Sequence, residues 1–247
     1  MKKLPLLLCL LFAAHGLFAQ QKYEKSVSAT GVSKGTVKLE IPAGTLKLNA
    51  SGSELLRAQV EYERPSWKPS MQMHTNNGTA SITLKQESLR NNEDSGQNDW
   101  VVNLSRTTPL ALHLQFGAGK SDINLTNSKV QKLQIEAGAA ELNVKLSKSD
   151  LRQADIKAGV GELTLDLTGD WSHDLTVDVA GGIGDINIKL PKNTGVRLET
   201  AGLGSQELDG LTKEGTYYRN AALGKSKHTL TIKATGGLGS ITVMNEK

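Results

Sequence analysis

Apolar and polar residues alternate in short runs along most of the chain. In the run from Glu141 to Leu146, every second residue is apolar. This period of two is typical of a β-strand that buries one face. No stretch of useful length has the helical period of 3.6 residues, so the pattern predicts an all-β protein.

The alternating runs recur around clusters of glycine and other small residues. Six clusters end at positions 119, 140, 161, 184, 204 and 239, and the first four steps between them are 20 to 23 residues long. Polar turn residues separate one copy from the next. Each copy therefore predicts a strand, a glycine corner, a second strand and a loop, because glycine permits positive φ and close approach of a neighbouring backbone.

A repeat of about 21 residues has too little apolar surface to fold alone, and stacking on its neighbours solves this. The sequence thus predicts a stacked-repeat, β-solenoid-like architecture. The alternative is an antiparallel β-sandwich in which the glycine similarity is coincidental. In the stacked fold, the apolar residues expected to form interior ladders are Leu142, Val144, Leu146, Leu163, Leu165, Leu167, Ile186, Ile188 and Leu190.

The first residues differ in character from the rest. Lys2 and Lys3 precede a short apolar run from Leu4 to Phe12, and Ala19 stands before an expected cleavage. This arrangement predicts a signal peptide at residues 1–19. We divide the remainder into an N-terminal β segment that caps the stack, residues 20–112, and a glycine-marked repeat domain, residues 113–247.

Charge and cysteine content restrict the function classes. The net charge is +4, and removing Lys2 and Lys3 leaves 27 basic and 25 acidic residues, a balance that does not favour nucleic acid or an anionic membrane as partner. The single cysteine, Cys9, lies in the predicted signal peptide. The mature chain therefore has no disulfide, thiol nucleophile or cysteine metal site. We predict no cofactor and no transmembrane segment in the mature chain.

The residues also resemble a known group. The stretch Pro42-Ala-Gly-Thr-Leu-Lys-Leu is followed by a strand around Trp100, by Pro109 to Gly119 and by the glycine-marked repeats. This order is similar to the bacterial toast-rack envelope families, which include the C-terminal domain of LiaF-like proteins and exported proteins of the putative-adhesin type. The resemblance implies a right-handed β-solenoid-like stack and carries no catalytic residues. Unlike LiaF-like members, this chain lacks transmembrane helices.

One candidate site is a column of acidic residues. Aligning the repeats on the first apolar residue of the second strand makes four carboxylates equivalent if Lys120 and Ser121 are treated as an insertion: Asp122, Glu141, Glu162 and Asp185. Stacked strands would place them about 5 Å apart. The column is either a weak Ca²⁺-binding edge or a solvated face whose charge is offset by neighbouring lysines, and we favour the solvated face.

A second candidate is the segment from Leu211 to Asn220, which interrupts the period. Loops that break a repeat are common binding sites. We name as a possible binding loop the residues Tyr217, Tyr218, Arg219 and Trp171. The alternative is that these aromatic side chains cover the C-terminal end of the stack.

Catalytic motifs do not emerge from the sequence. It contains no Gly-x-Ser-x-Gly elbow, and its Gly-x-Gly pairs precede strands rather than the helix that a phosphate site needs. We predict a non-catalytic exported protein of the periplasm or outer cell surface. It would be a scaffold, adhesin-like or a stress-response adaptor, that binds an envelope protein, glycan or lipid. The alternative is a carbohydrate-active β-helix enzyme or a glycan-binding module.

Overall fold

The computed structural model describes residues 20–87 and 96–246, so the predicted signal peptide lies outside the described residues. The described strands, in chain order, are β1 Gln21–Val27, β2 Lys34–Gly52, β3 Leu56–Tyr62, β4 Ser70–Asn76, β5 Thr79–Lys85, β6 Asn98–Ser105, β7 Leu110–Asn124, β8 Val130–Lys145, β9 Gln153–Val160, β10 Leu163–Asp166, β11 Leu175–Ile183, β12 Ile186–Leu190, β13 Gly195–Ala201, β14 Ser205–Leu208, β15 Thr212–Glu214, β16 Tyr217–Arg219, β17 Thr229–Thr235 and β18 Ser240–Asn245. A short 3₁₀ helix spans Pro65–Trp67. In these residues no helix is both long and apolar enough to cross a membrane.

The strands stack as rungs, each with one strand before a corner and one after it. Strands before the corner form a first sheet, and strands after it form a second sheet. The long strands β2, β7 and β8 bend at the corner and belong to both sheets. Neighbouring rungs pair in parallel from β2 onward, so the stacked-repeat prediction is confirmed and the antiparallel sandwich is wrong.

The order of rungs in space differs from their order in the chain. The first sheet runs β5–β2–β7–β8–β9–β11–β17–β13, and the second sheet runs β6–β2–β7–β8–β10–β12–β18–β14. The last rung in sequence, β17 with β18, therefore lies between the β11–β12 and β13–β14 rungs. At the other end of the stack, β5 and β6 form the outer rung, and β2 forms the next rung inward.

Antiparallel strands cover three of the four sheet edges at the ends of the stack. β4 pairs with β5, β3 and β1 follow β6, and the hairpin of β15 and β16 pairs with β13. These strands pair the backbone edges of β5, β6 and β13, and the outer edges become those of β4, β1 and the short strand β15. The fourth edge is β14, whose described pairing is with β18 alone.

One hydrophobic core fills the space between the two sheets. The predicted ladder residues are all buried, with Leu142 aligned to Leu163 and Leu163 to Ile186. The same core includes Val27 near the start and Val243 near the end of the described chain. The boundary placed between residues 112 and 113 lies inside β7, so the stack continues through it.

Backbone contact between rungs explains the small residues at the corners. A Cβ on Gly184 would overlap the carbonyl oxygen of Gly161, and Gly184 has φ of +130°. Side chains at this point are therefore excluded by the next rung, which lies about 4.8 Å away. The corners of all rungs therefore lie along one edge of the molecule, which we call the corner edge.

Candidate functional site

The acidic residues of the second sheet form a column, but its membership differs from the prediction. Lys120 aligns with Glu141, and Asp122 aligns with Asn143. Asp122 therefore lies one column away from Glu141, and the prediction that it belongs with Glu141, Glu162 and Asp185 is wrong.

Ser121 accounts for the error. Its side chain is 3% exposed and faces inward at the position that Leu142 occupies in the next rung. An alignment on the first apolar residue skips this serine and shifts the register by two residues, which preserves the alternation of faces. Lys120 and Ser121 are thus ordinary rung positions, not an insertion.

Neighbouring side chains satisfy the carboxylates of the column. The ammonium of Lys120 lies 2.6 Å from Glu141, and the amide of Asn187 donates to Glu162 at 2.9 Å. Asp185 accepts from the hydroxyl and the backbone N–H of Ser240, which lowers the pKa of the Asp185 carboxyl below its usual 3.8. In the described part of the chain, no group of three or more His, Cys, Asp or Glu residues is placed to hold a metal ion.

The candidate binding loop is the β15–β16 hairpin. Arg219 donates to Glu214 at 2.7 Å and to the carbonyl of Leu223 at 2.7 Å, and the hydroxyl of Tyr217 donates to Glu214 at 2.9 Å. The guanidinium of Arg197 on β13 lies 4.1 Å from the ring centre of Tyr217. Tyr218 is half-buried and packs against the core. These contacts fasten the hairpin over the edge of β13, and its role in binding stays a prediction.

Trp171 is not part of that surface. Its side chain is 5% exposed, and its indole N–H donates to the carbonyl of Leu167 at 2.8 Å. Its ring meets the ring of His173 edge-on at 5.9 Å. Trp171 therefore belongs to the segment between β10 and β11, and its side chain lies in the core.

A row of exposed aliphatic residues at the corner was missed by the sequence reasoning. Six large hydrophobic residues are exposed in the described chain, and four of them share the corner position between glycines: Val160 at 50%, Ile183 at 55%, Leu238 at 58% and Leu203 at 86%. Backbone pairing places them side by side in that order on four successive rungs. We call these four residues the aliphatic ridge.

The residues next to the ridge leave it projecting from the surface. Each ridge residue lies between two glycines, as Ile183 does between Gly182 and Gly184. The signal was present in the sequence as a branched aliphatic residue at each of these corners. The glycine corners by themselves predict only turns, so the exposure of the residue between the glycines does not follow from them.

A shallow depression lies beside the corners of β2, β7 and β8. It has a volume of about 430 Å³, and its lining includes Glu40, Gln115 and Glu136. The side-chain amides of Gln115 and Gln134 donate to Glu136 and lower the pKa of its carboxyl. A general acid for glycoside hydrolysis needs a raised pKa, whereas the pKa of Glu136 is shifted in the opposite direction.

Comparison with known proteins identifies a family that matches this chain. The family described as the N-terminal domain of toast_rack, DUF2154, matches residues 18–154 and 145–189. No curated protein matches the chain. A crystal structure of a "putative cell adhesion protein" from Clostridium sporogenes ATCC 15579 has a TM-score of 0.69 and 23% identity, and it covers 92% of this chain and 100% of that chain.

A second crystal structure, of a "putative adhesin" from Bacteroides fragilis NCTC 9343, has a TM-score of 0.39 and 13% identity over 91% of this chain and 97% of that chain. The likeness to the Clostridium sporogenes protein shows a shared fold. Since the family match spans more than half of the chain, this protein belongs to the toast-rack family.

Proposed function

We propose that the protein is an exported, non-catalytic scaffold of the cell envelope, which contacts another envelope component through its corner edge. The observation that carries this proposal is the aliphatic ridge, which gathers four of the six exposed large hydrophobic residues of the described chain into one row. Contiguous exposed apolar surface on a folded protein is typical of an interaction site. The parallel stack fixes the order of the row, because backbone pairing places each ridge residue beside the one on the next rung.

Export is supported by the predicted signal peptide at residues 1–19. The similar Clostridium sporogenes structure is described as a "putative cell adhesion protein", and a surface or periplasmic scaffold is compatible with that description. The carbohydrate-active alternative needs one carboxyl with a raised pKa to act as general acid, and the pKa of Glu136 in the depression is shifted the other way.

Site-specific photo-crosslinking in the native host tests the contact. A photoreactive residue replaces Ile183 on the ridge, Tyr217 on the hairpin or Thr176 on the flat outer face of the first sheet. All three positions are accessible at least in part, so they differ mainly in which surface they sample. We expect adducts from position 183 in clear excess over positions 217 and 176, with mass spectrometry identifying the attached molecule.

Adducts confined to position 217 or 176 would move the contact to the hairpin or the flat face and refute the role of the ridge. If none of the three positions gives an adduct in the intact envelope, the proposed scaffold function fails as a whole.

A further inference from the structure

We infer that the aliphatic ridge is a docking edge for a lipid bilayer of low net charge, into which its four side chains insert. This inference rests on the proposed function and names the class of its partner. The ridge consists of Val160, Ile183, Leu238 and Leu203 in spatial order, and it occupies the four rungs at the C-terminal end of the stack.

The fold does not require these side chains. The same corner position holds Ala43, Ala118 and Ala139 in the three preceding rungs, which pair with identical register. Along the stack the residue therefore changes from alanine to valine, isoleucine and leucine.

The shape of the ridge favours a bilayer over a folded partner. The row is one residue wide and, at about 4.8 Å per rung, about 14 Å long. A stable protein interface buries about 800 Å² on each side with matching shape, which a single row of four side chains does not supply. A bilayer needs no matching pocket, and isolated aliphatic side chains can enter its headgroup and acyl boundary.

The charges beside the ridge indicate which lipid it suits. Toward the end of the stack, Leu238 and Leu203 are flanked on the second sheet by Ser240 and Ser205, which are uncharged. Beside Val160 and Ile183 the equivalent residues are Glu162 and Asp185, and their carboxylates repel anionic headgroups. The ridge should therefore bind through apolar burial, with no requirement for anionic lipid.

Vesicle flotation tests the inference with the chain that begins at residue 20. The vesicles are phosphatidylcholine alone, or phosphatidylcholine with an equal amount of phosphatidylglycerol, at low and high salt. We expect binding to phosphatidylcholine that changes less than about twofold with salt, because apolar insertion is not screened. Replacing the ridge with alanine, as V160A/I183A/L238A/L203A, should weaken it at least about tenfold.

The matched control replaces the two residues that are large, hydrophobic and exposed outside the ridge in the described chain, as M73A/M244A. This variant should bind within about twofold of the parent, and circular dichroism and thermal melting confirm that both variants are folded. Equal binding by the parent and the ridge variant would overturn the inference, as would binding that depends on phosphatidylglycerol. Absence of vesicle binding, together with a protein adduct at position 183, would refute the bilayer and leave the scaffold function standing.

Discussion

The carbonyl groups of the neighbouring rung limit residue size at the corners. Gly184 has a φ of +130° and lies directly against the carbonyl of Gly161. Ala140 occupies the equivalent position two rungs away, and its φ is not positive. This corner position therefore tolerates a methyl group only where the backbone φ is not positive.

This difference predicts the effect of a single methyl group. Gly184→Ala should lower the free energy of unfolding by about 3 kcal/mol, since it combines backbone strain with a clash. Ala140→Gly, as the control, should cost only about 1 kcal/mol from added chain entropy. Urea denaturation of the two variants measures both values, and equal stability of Gly184→Ala and the parent would contradict the account of the corner.

Asp185 predicts a dependence of stability on pH. Its folded-state pKa is lowered by the hydroxyl and N–H of Ser240, so the interaction stabilises the fold above the usual pKa of 3.8 and is lost as pH falls through the lowered value. Between about pH 5 and pH 3, the melting temperature should fall less in Asp185→Asn than in the parent. An equal fall in the two proteins would contradict this account of Asp185.

At the scale of the strands, much could be predicted from the alternation and the glycine spacing. Each ladder position from Leu142 to Leu190 is buried because a period of two fixes which face a residue takes. The spatial order of the last rungs could not be predicted, because all rungs present the same pattern to a neighbour. Ser121 concealed the register of the acidic column, since a polar residue at an interior position breaks the signal on which the alignment relied.

The last rung in sequence lies inside the stack, so deleting it should also unfold the strands that lie outside it. β13 pairs with β17 and β16, and β14 pairs with β18. Deletion of residues 229–247 should therefore release residues 195–219 as well, while β7 and β8 keep their neighbours. Hydrogen exchange would show this as lost protection across 195–201. Retained protection there would mean that β13 pairs directly with β11 in the shortened chain.

At the scale of the whole molecule, the ridge occupies one half of a long edge. Fully burying one aliphatic side chain contributes about 1.5–3 kcal/mol, and the four ridge residues are half or more exposed, so insertion should contribute about 5 kcal/mol in total. This is similar to the reversible membrane affinity of a single myristoyl chain. A scaffold held this weakly can leave the bilayer, and several copies acting together would bind more firmly.

The difference between the alanine corners and the aliphatic ridge also predicts how the stack is oriented on a bilayer. Ala118 lies in the same corner column as Ile183, three rungs and about 14 Å away. Because residues 20–247 lack cysteine, a fluorophore on Ile183→Cys or Ala118→Cys reports one position. Lipids with a quencher in the acyl chain should quench the label at 183 several-fold more than the label at 118. Equal quenching would show the entire edge lying flat on the membrane, and the alanine-to-leucine progression would then have no part in orienting the stack.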